Sequence, residues 1–435
     1  MSKNKLYEIR DPIHGFIVLN EWEREIINHS VFQRLRRIRQ LALTDMVYPG
    51  ANYSRFEHSL GVMHVATRMF DEIKKKNERL LIDKLDYDSD GHGLTKDTRI
   101  VRLAGLLHDV GHAPFSHAGE ELLPFKNDHS IYKHEDYSAA AIEMLMKDVI
   151  EEHPINQNFG ITAKDVADFI RGEPSIGRRL LWRNIIDSQL DADRADYLKR
   201  DSYHIGVEYG KYDLDRILVT LTLAFDQDGE AKLALEKGGE HAAEGLIVAR
   251  YMMFTQVYFH TVRRAYDNHL TQALTSIISD WQRESGFKEI TGKLPPPDSE
   301  ENLRKYLEWT DWKVLGLLEN GGGGLHGDII RKRNHFRCVE ETRERPTKEE
   351  IDNIEQKIEL LKSGNQTFFV DKAENAWYKF GDNDLLILER VGEIDQQITK
   401  LSDISSVVNG LKPVHSIRIY VPKEEKNEVK GRYFS

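Results

Sequence analysis

The sequence predicts a mainly α protein, a helical core followed by a small α+β C-terminal appendage. Three observations carry this. Apolar residues recur at helical spacing through most of residues 22–285. The run KLPPPDSEEN then interrupts the pattern with the composition of a linker. Beyond it come short β-like runs, HFRCVEET, TFFVDKA, DLLILERV and HSIRIYVP, with one helical stretch, KEEIDNIEQKIELLKSG.

The opening YEIRDPIHGFIVLNEWE alternates apolar and polar residues around a Pro and a Gly, the pattern of a short hairpin leading into a helix. From Trp22 to about Ala42 the pattern is helical, and its run RLRRIRQL gathers Arg34, Arg36, Arg37 and Arg39. In FEHSLGVMHVATRMFDEI, Leu60, Met63, Thr67, Phe70 and Ile73 mark one helix face. A charged loop is expected from Lys74 to Asp97. RIVRLAGLLHDVGHAPFSH begins almost wholly apolar, as a buried helix does, and Gly111 and Pro114 end it. Residues 139–150, 179–201 and 241–285 read as further helices. The expected organisation is an all-α domain over residues 1–290, with an α+β region over 291–435 packed on it. NGGGGLHG reads as a flexible turn.

The chain has 435 residues, 40% of them hydrophobic, enough for a sizeable core. Its net charge of −11 argues against nucleic acid as the main partner, because a protein that coats nucleic acid carries a basic footprint. An acidic protein that handles phosphates must gather its Arg and Lys in a pocket. The single cysteine, Cys338, excludes an intrachain disulfide and a thiolate zinc cluster. Met1 to Arg10 is polar and shows no secretory signal, and no apolar run approaches the roughly 18 residues that cross a bilayer. A cytoplasmic protein without membrane association is expected.

The chemical signal is LLHDVGH. An unpaired carboxylate at the end of a buried helix costs several kcal/mol unless it is paired or coordinates a cation. A metal resolves that cost, and the imidazole of His108 with the carboxylate of Asp109 suits several divalent ions. His58, near the start of an apolar-faced helix, and Asp193, in DADRADYLKRD, supply further ligands. Asp193, Tyr197 and Asp201 stand four apart, so they share a helix face. A lone His on such a helix is more often a satisfied core residue than a ligand, and a lone Asp is usually a cap. The combination H…HDxGH…D is far more specific than any member. His112, His117 and His134 follow closely and are the candidates for donating a proton to a leaving alkoxide. At least one of them is expected only to hold its loop.

The pieces DPIHG, FQRLRRIRQL, PGANYSRFEHSLGVMH, AGLLHDVGHAPFSHAGE, HED and DADRADYLKRD, in this order, resemble the HD-domain dNTP triphosphohydrolases. That family includes bacterial deoxyguanosine triphosphatases and the vertebrate sterile-alpha-motif/HD dNTPase. The resemblance runs from about residue 6 to 285, with an echo at RKRNHFRCVEET. It implies cleavage of a dNTP to a deoxynucleoside and tripolyphosphate. It implies a divalent metal (Mg, Mn, Fe, Co, Ni or Zn) held by His58, His108, Asp109 and Asp193. His112, His117 and His134 match catalytic positions, with His117 the proton donor. Arg55 and Arg194 match phosphate-binding positions; Tyr197, Asp201 and Tyr266 match positions that hold the sugar; Gln40 and Leu41 match the pair that leaves no room for a 2′-hydroxyl. Many members of the family are oligomers with nucleotide activator sites between subunits, so the resemblance implies a homo-oligomer, and Asn28, Gln33, Arg36, Arg333 and Arg337 are the candidates for such a site. Where the vertebrate enzyme reads guanine with an Asp, this chain has Asn28, whose amide cannot offer two acceptors, and a Lys of that site is replaced by Tyr7. The resemblance therefore does not imply activation by GTP or dGTP, and leaves another nucleotide or none as the activator.

Two other readings compete. The same metal site could serve another nucleotide, a nucleoside monophosphate, a cyclic dinucleotide or guanosine tetraphosphate. Alternatively the pocket could belong to a non-catalytic nucleotide-sensing scaffold. The intact ligand set speaks against the scaffold, because a dead pocket has no need of a metal.

Overall fold

The computed structural model describes residues 5–226, 228–287, 291–391 and 395–434. The chain opens on an antiparallel hairpin in which Tyr7–Asp11 pairs with Gly15–Leu19. Asp11 Oδ1 accepts the backbone N–H groups of Ile13 and His14, both at 2.8 Å, and Gly15 takes φ +77 at the turn. Asn20 and Glu23 then form a capping box at the head of the Glu21–Asn28 helix.

Two helices, Arg55–Leu85 and His92–Leu107, form the centre of the core. They meet at Gly105, where a Cβ would lie only 3.1 Å from the Cα of Met63. The Ala192–Ile205 helix crosses the other face of Arg55–Leu85 at Gly61. A Cβ there would lie 1.9 Å from Asp196 Oδ1 and 2.5 Å from Arg200 Nη2. Only glycine permits that approach, which brings His58 against the carboxylates of the Ala192–Ile205 helix.

Several boundaries differ from expectation. The charged stretch after Lys74 remains helical to Leu85, and the next helix starts at His92. Its Lys, Glu and Leu residues are good helix formers, and Leu81 keeps one side buried. Residues 179–201 do not form one helix. The Leu180–Arg183 turn is followed by a loop in which Ser188 N–H donates to Asp191 Oδ2 at 2.8 Å. Asp191 then caps the Ala192–Ile205 helix by accepting Arg194 N–H at 2.7 Å. The expected 241–285 helix divides into Glu240–Met253, a π-helical turn at Phe254–Tyr258, and Thr261–Ser285, which His260 caps.

The helical half also holds strands at Leu221–Phe225 and Ala231–Glu236. Ala231–Glu236 pairs in parallel with Leu386–Val391, and Asp395–Lys400 completes a four-stranded sheet. The C-terminal region is thus stitched to the core by backbone hydrogen bonds. Its other sheet orders Arg337–Glu341, Val414–Val421 and Phe369–Asn375, and the Lys348–Ser363 helix packs Ile354 and Leu361 against Val339 and Ile419. All four β-like runs and this helix fall where the sequence places them.

KLPPPDSEEN is a strap rather than a free linker. Leu294 N–H donates to Leu122 O at 2.9 Å, Tyr137 Oη donates to Pro295 O at 2.9 Å, and Ser299 caps the Glu300–Leu307 helix. NGGGGLHG is only half a turn; Gly324–Arg331 is helical. The expected boundary at residue 290 falls beside residues 288–290, outside the described residues. Among the described residues no helix is long and apolar enough to cross a membrane.

Candidate active site

His58 projects from the first turn of the Arg55–Leu85 helix, and His108 and Asp109 stand at the end of the His92–Leu107 helix. Asp193 comes from the first turn of Ala192–Ile205. These four converge. His58 Nε2 lies 2.9 Å from Asp193 Oδ1 and 3.7 Å from Asp109 Oδ2, and His108 Nε2 lies 3.3 Å from Asp109 Oδ1.

The ring protons are accounted for on the far sides. His108 Nδ1 faces Gly105 O at 2.9 Å, and His58 Nδ1 faces Asp196 Oδ2 at 2.8 Å. A carbonyl and an ionised carboxylate only accept, so both Nδ1 atoms carry a proton, and Nε2 is the nitrogen that each ring would offer a metal. Those Nε2 atoms are buried and have no hydrogen-bond partner. Two imidazole nitrogens that face two carboxylates could hold a divalent cation, and the ligand atoms of His58, His108 and Asp193 lie within 4.8 Å of one another. Burial opposes ionisation of Asp109, but Arg55, His108 and His112 around it hold its carboxyl well below the usual range.

Asp196, fully buried, anchors this centre from behind. It accepts from His14 Nε2 at 2.7 Å and from Arg200 Nε and Nη2, each at 2.8 Å. Arg200 Nη1 donates to Asp11 Oδ2 at 2.8 Å. The DPIHG hairpin therefore supports this His–Asp cluster through Asp11 and His14. Sequence reasoning missed Asp196, Arg200, Asp11 and His14; the available signal was a second acid three residues after Asp193.

The second cluster adjoins the first. His112 Nε2 lies 3.4 Å from Asp109 Oδ1, and its ring stacks on His134 at a centroid distance of 3.9 Å. Glu120 joins the group: Oε1 accepts from His134 Nδ1 at 2.6 Å, and Oε2 faces His117 Nδ1 at 3.0 Å. Glu120 stands three residues after His117 on the same short helix, a pairing legible in the sequence but overlooked. Burial, then the charges of Arg55 and His134, push His112 well below its ordinary value, so it is neutral. Burial would also lower His134, but the Glu120 carboxylate outweighs it and raises the imidazole to about 9. Burial opposes ionisation of Glu120 too, yet its bonds to His117 and His134 hold it strongly ionised. His117 alone of the three histidines is open to solvent.

A cavity of about 170 Å³ opens over both clusters. Gln40, Arg55, Arg183, Arg194, Tyr197, His117 and Glu135 line it, with Phe169 and Ile170 as an apolar wall. Arg55 is braced by Asp109 at 2.5 Å and by Ser116 Oγ at 2.7 Å. Arg194 is turned back onto Asp191 and the Ser188 carbonyl. Arg183, a third cation on the wall, did not figure in the sequence reading.

Other expected positions stand elsewhere. Leu41 is buried in the core, outside the cavity lining. Asp201 is also buried away from it, its oxygens taken by Tyr53 Oη and, at 2.5 Å, Tyr258 Oη. Tyr266 packs on His335 at 4.7 Å, with its hydroxyl buried and unpartnered. The activator positions form two groups. Asn28, Gln33 and Arg36 lie on the first helical turns, where Arg36 donates to Gln33 Oε1 at 2.9 Å and covers the Phe56 ring. Arg333 donates to Met46 O at 3.0 Å, and Arg337 donates to His335 O at 2.8 Å. Among the described residues no hydrogen bond, ion pair or ring contact joins the two groups. Arg34 is no solvated residue; it is buried under four backbone carbonyls.

The HD domain profile matches residues 55–201, and the HD associated region profile matches residues 212–291. An uncharacterized protein of Methanocaldococcus jannaschii is 36% identical over 272 residues, 62% of this chain and 50% of that protein. The deoxynucleoside triphosphate triphosphohydrolase SAMHD1 homolog of Dictyostelium discoideum is 31% identical over 337 residues, 77% of this chain and 60% of that protein. The chain thus spans about half to three-fifths of these relatives. The crystal structure of a hypothetical protein from Aquifex aeolicus superposes with a TM-score of 0.76 at 28% identity, over 98% of this chain and 99% of that one.

Proposed function

The chain belongs to the HD-domain phosphohydrolases, a metal-dependent family, and we propose that it splits a deoxynucleoside triphosphate with water into a deoxynucleoside and tripolyphosphate. One observation carries the reading: buried, unpartnered Nε2 atoms of His58 and His108 face two carboxylates on the floor of a cavity walled by three arginines.

In this reading His58, His108, Asp109 and Asp193 hold the divalent metal. When bound, the metal polarises a phosphoryl oxygen and acidifies a water. Arg55, Arg183 and Arg194 supply bidentate donors for the phosphate chain, Arg194 by leaving Asp191. Attack at the α-phosphorus displaces the 5′ oxygen, which needs a proton. His117 donates it, since it faces the cavity and Glu120 orients its far nitrogen. Protonated His134 fixes the other oxygen of Glu120, and neutral His112 packs beneath them. Gln40 and Tyr197 remain to contact the sugar. The two groups of activator positions, apart within one chain, fit a nucleotide site assembled between copies of a homo-oligomer.

A nucleoside monophosphate is the second reading, favoured by Leu41, Asp201 and Tyr266 lying outside the cavity lining. One assay decides. The protein is incubated with each dNTP, NTP and deoxynucleoside monophosphate in Mg²⁺, Mn²⁺ or Co²⁺, and the products are separated by chromatography. Tripolyphosphate release is expected. Release of single phosphate from a triphosphate sinks the α-phosphorus assignment, release of pyrophosphate sinks the 5′ oxygen as the leaving group, and turnover of monophosphates alone supports the second reading. Adding mixed dNTPs to the same assay tests activation.

A further inference from the structure

We infer that Asp311, which lies beyond both matched regions, is a positioning residue for His117, acting by tying the backbone of Phe115 to that of Arg39. Asp311 sits in the first turn of the Asp311–Glu319 helix, but Thr310 caps that helix, which leaves the Asp311 carboxylate for other partners. It is fully buried. Its Oδ1 accepts Phe115 N–H at 2.7 Å, and its Oδ2 accepts Arg39 N–H at 2.8 Å.

The segment it holds is strained. Phe115 and Ser116 adopt φ +60 and +58, where non-glycine residues are costly and persist only if the surroundings impose them. His117 follows directly. Ser116 Oγ donates to Arg39 O at 2.6 Å, so the Arg39 and Phe115–Ser116 segments are joined twice, once through Asp311. The neighbouring residues grip the same loop. Tyr306 Oη donates to Gly111 O at 2.7 Å. Arg34 bridges His112 O at 2.8 Å to Trp309 O at 2.7 Å. Residues 306–311 therefore fix the loop that carries His112 and His117 at both of its ends. The His117 side chain is 68% exposed and meets only Glu120 and the edges of the His112 and His134 rings, so its position depends largely on the backbone beneath it. Removing one acceptor oxygen from Asp311 releases Phe115 or Arg39, and His117 loses its register with His112 and the cavity.

Asp311→Asn tests this, since an amide offers one acceptor and turns a donor toward the second N–H. Hydrogen–deuterium exchange needs no substrate. Faster exchange confined to residues 38–41 and 110–118 is expected; no change there, or an increase across the whole chain, overturns the inference. The kinetic arm rests on the proposed dNTP reading. It compares D311N, H117A and the double variant with Mn²⁺ and each dNTP. D311N should lower kcat by about 10- to 100-fold, as a small misplacement of a reacting group does. It should cost nothing further in the H117A background, and additive losses overturn the inference. If the wild type releases no tripolyphosphate, the dNTP reading fails while the exchange arm still decides Asp311. If D311N does not fold, Asp311→Ser, which leaves room for a bridging water, undergoes the same measurements.

Discussion

His58 Nδ1 lies 2.8 Å from Asp196 Oδ2, and Asp196 is itself held by His14 and Arg200. The metal-facing nitrogen of His58 is therefore aimed from the opposite side of the ring. Asp196→Asn keeps the shape but removes the charge that Arg200 and His58 need. Metal affinity should fall by about 10- to 100-fold, the usual cost of losing such support. Stability should fall by about 3–5 kcal/mol, because buried Arg200 loses its two bonds to the carboxylate and keeps Asp11 at 2.8 Å and Glu57 at 4.0 Å. Calorimetric metal titration and urea unfolding of the variant check both. Unchanged metal affinity would falsify the orienting role.

Metal removal should destabilise the native state. The Nε2 atoms of His58 and His108 are buried without hydrogen-bond partners, and a bound ion satisfies both. At free metal about 100 times its Kd, binding adds about 2.7 kcal/mol. Thermal melts with Mn²⁺ and after chelation should differ by several degrees, and coincident melts would remove the case for this site.

Glu120 makes a pH-dependent contribution through His134. Burial pulls the His134 imidazole down, but Glu120 raises it to about 9, above its ordinary 6.5. A group raised in the folded state stabilises fully below its unfolded value and loses that contribution as pH rises through the folded one. The stability from this pair should therefore be present at pH 6 and decline between about pH 6.5 and pH 9. Glu120→Gln should flatten that decline and also lower kcat, by leaving His117 unoriented. Urea unfolding across this range checks the first effect, and a variant with the wild-type slope would contradict it.

Asp201 behaves in the opposite sense. Burial raises its carboxyl to about 8, despite the Tyr258 hydroxyl, which favours the ionised form. The folded state thus holds a proton that the unfolded chain gives up from about pH 3.8 upward. Its penalty grows from there to pH 8 and is complete above. Asp201→Asn should be no more stable than wild type at pH 4 and increasingly more stable toward pH 8, read by melting temperature. An equal effect at both pH values would mean the acid is not neutralised in the fold. If Asp201 leaves Tyr53 and Tyr258 to hold the sugar, the same variant also raises KM for a dNTP.

Local pattern explains what was legible. The apolar run before His108 could only be a buried helix, and its terminal His and Asp demanded a counter-charge. The four β-like runs and the Lys348–Ser363 helix followed from residue type and period alone. The Asp193–Tyr197–Asp201 face was half right. Each four-residue step overshoots a full helical turn by about 40°, so two steps carry Asp201 about 80° away from Asp193. Tyr197 stays in the cavity lining and Asp201 leaves it.

By itself, then, the sequence determined the residue types of the His–Asp cluster, the helices that present them and the acidic net charge of the chain, because these depend on composition and short-range period. Only the tertiary structure decided which groups complete the centre. His14 reaches Asp196 across 182 positions, Asp311 reaches Arg39 across 272, and a bare Gly61 lets two helices close on His58. Such partners are chosen by packing, where a buried charge must find its complement wherever the fold brings one.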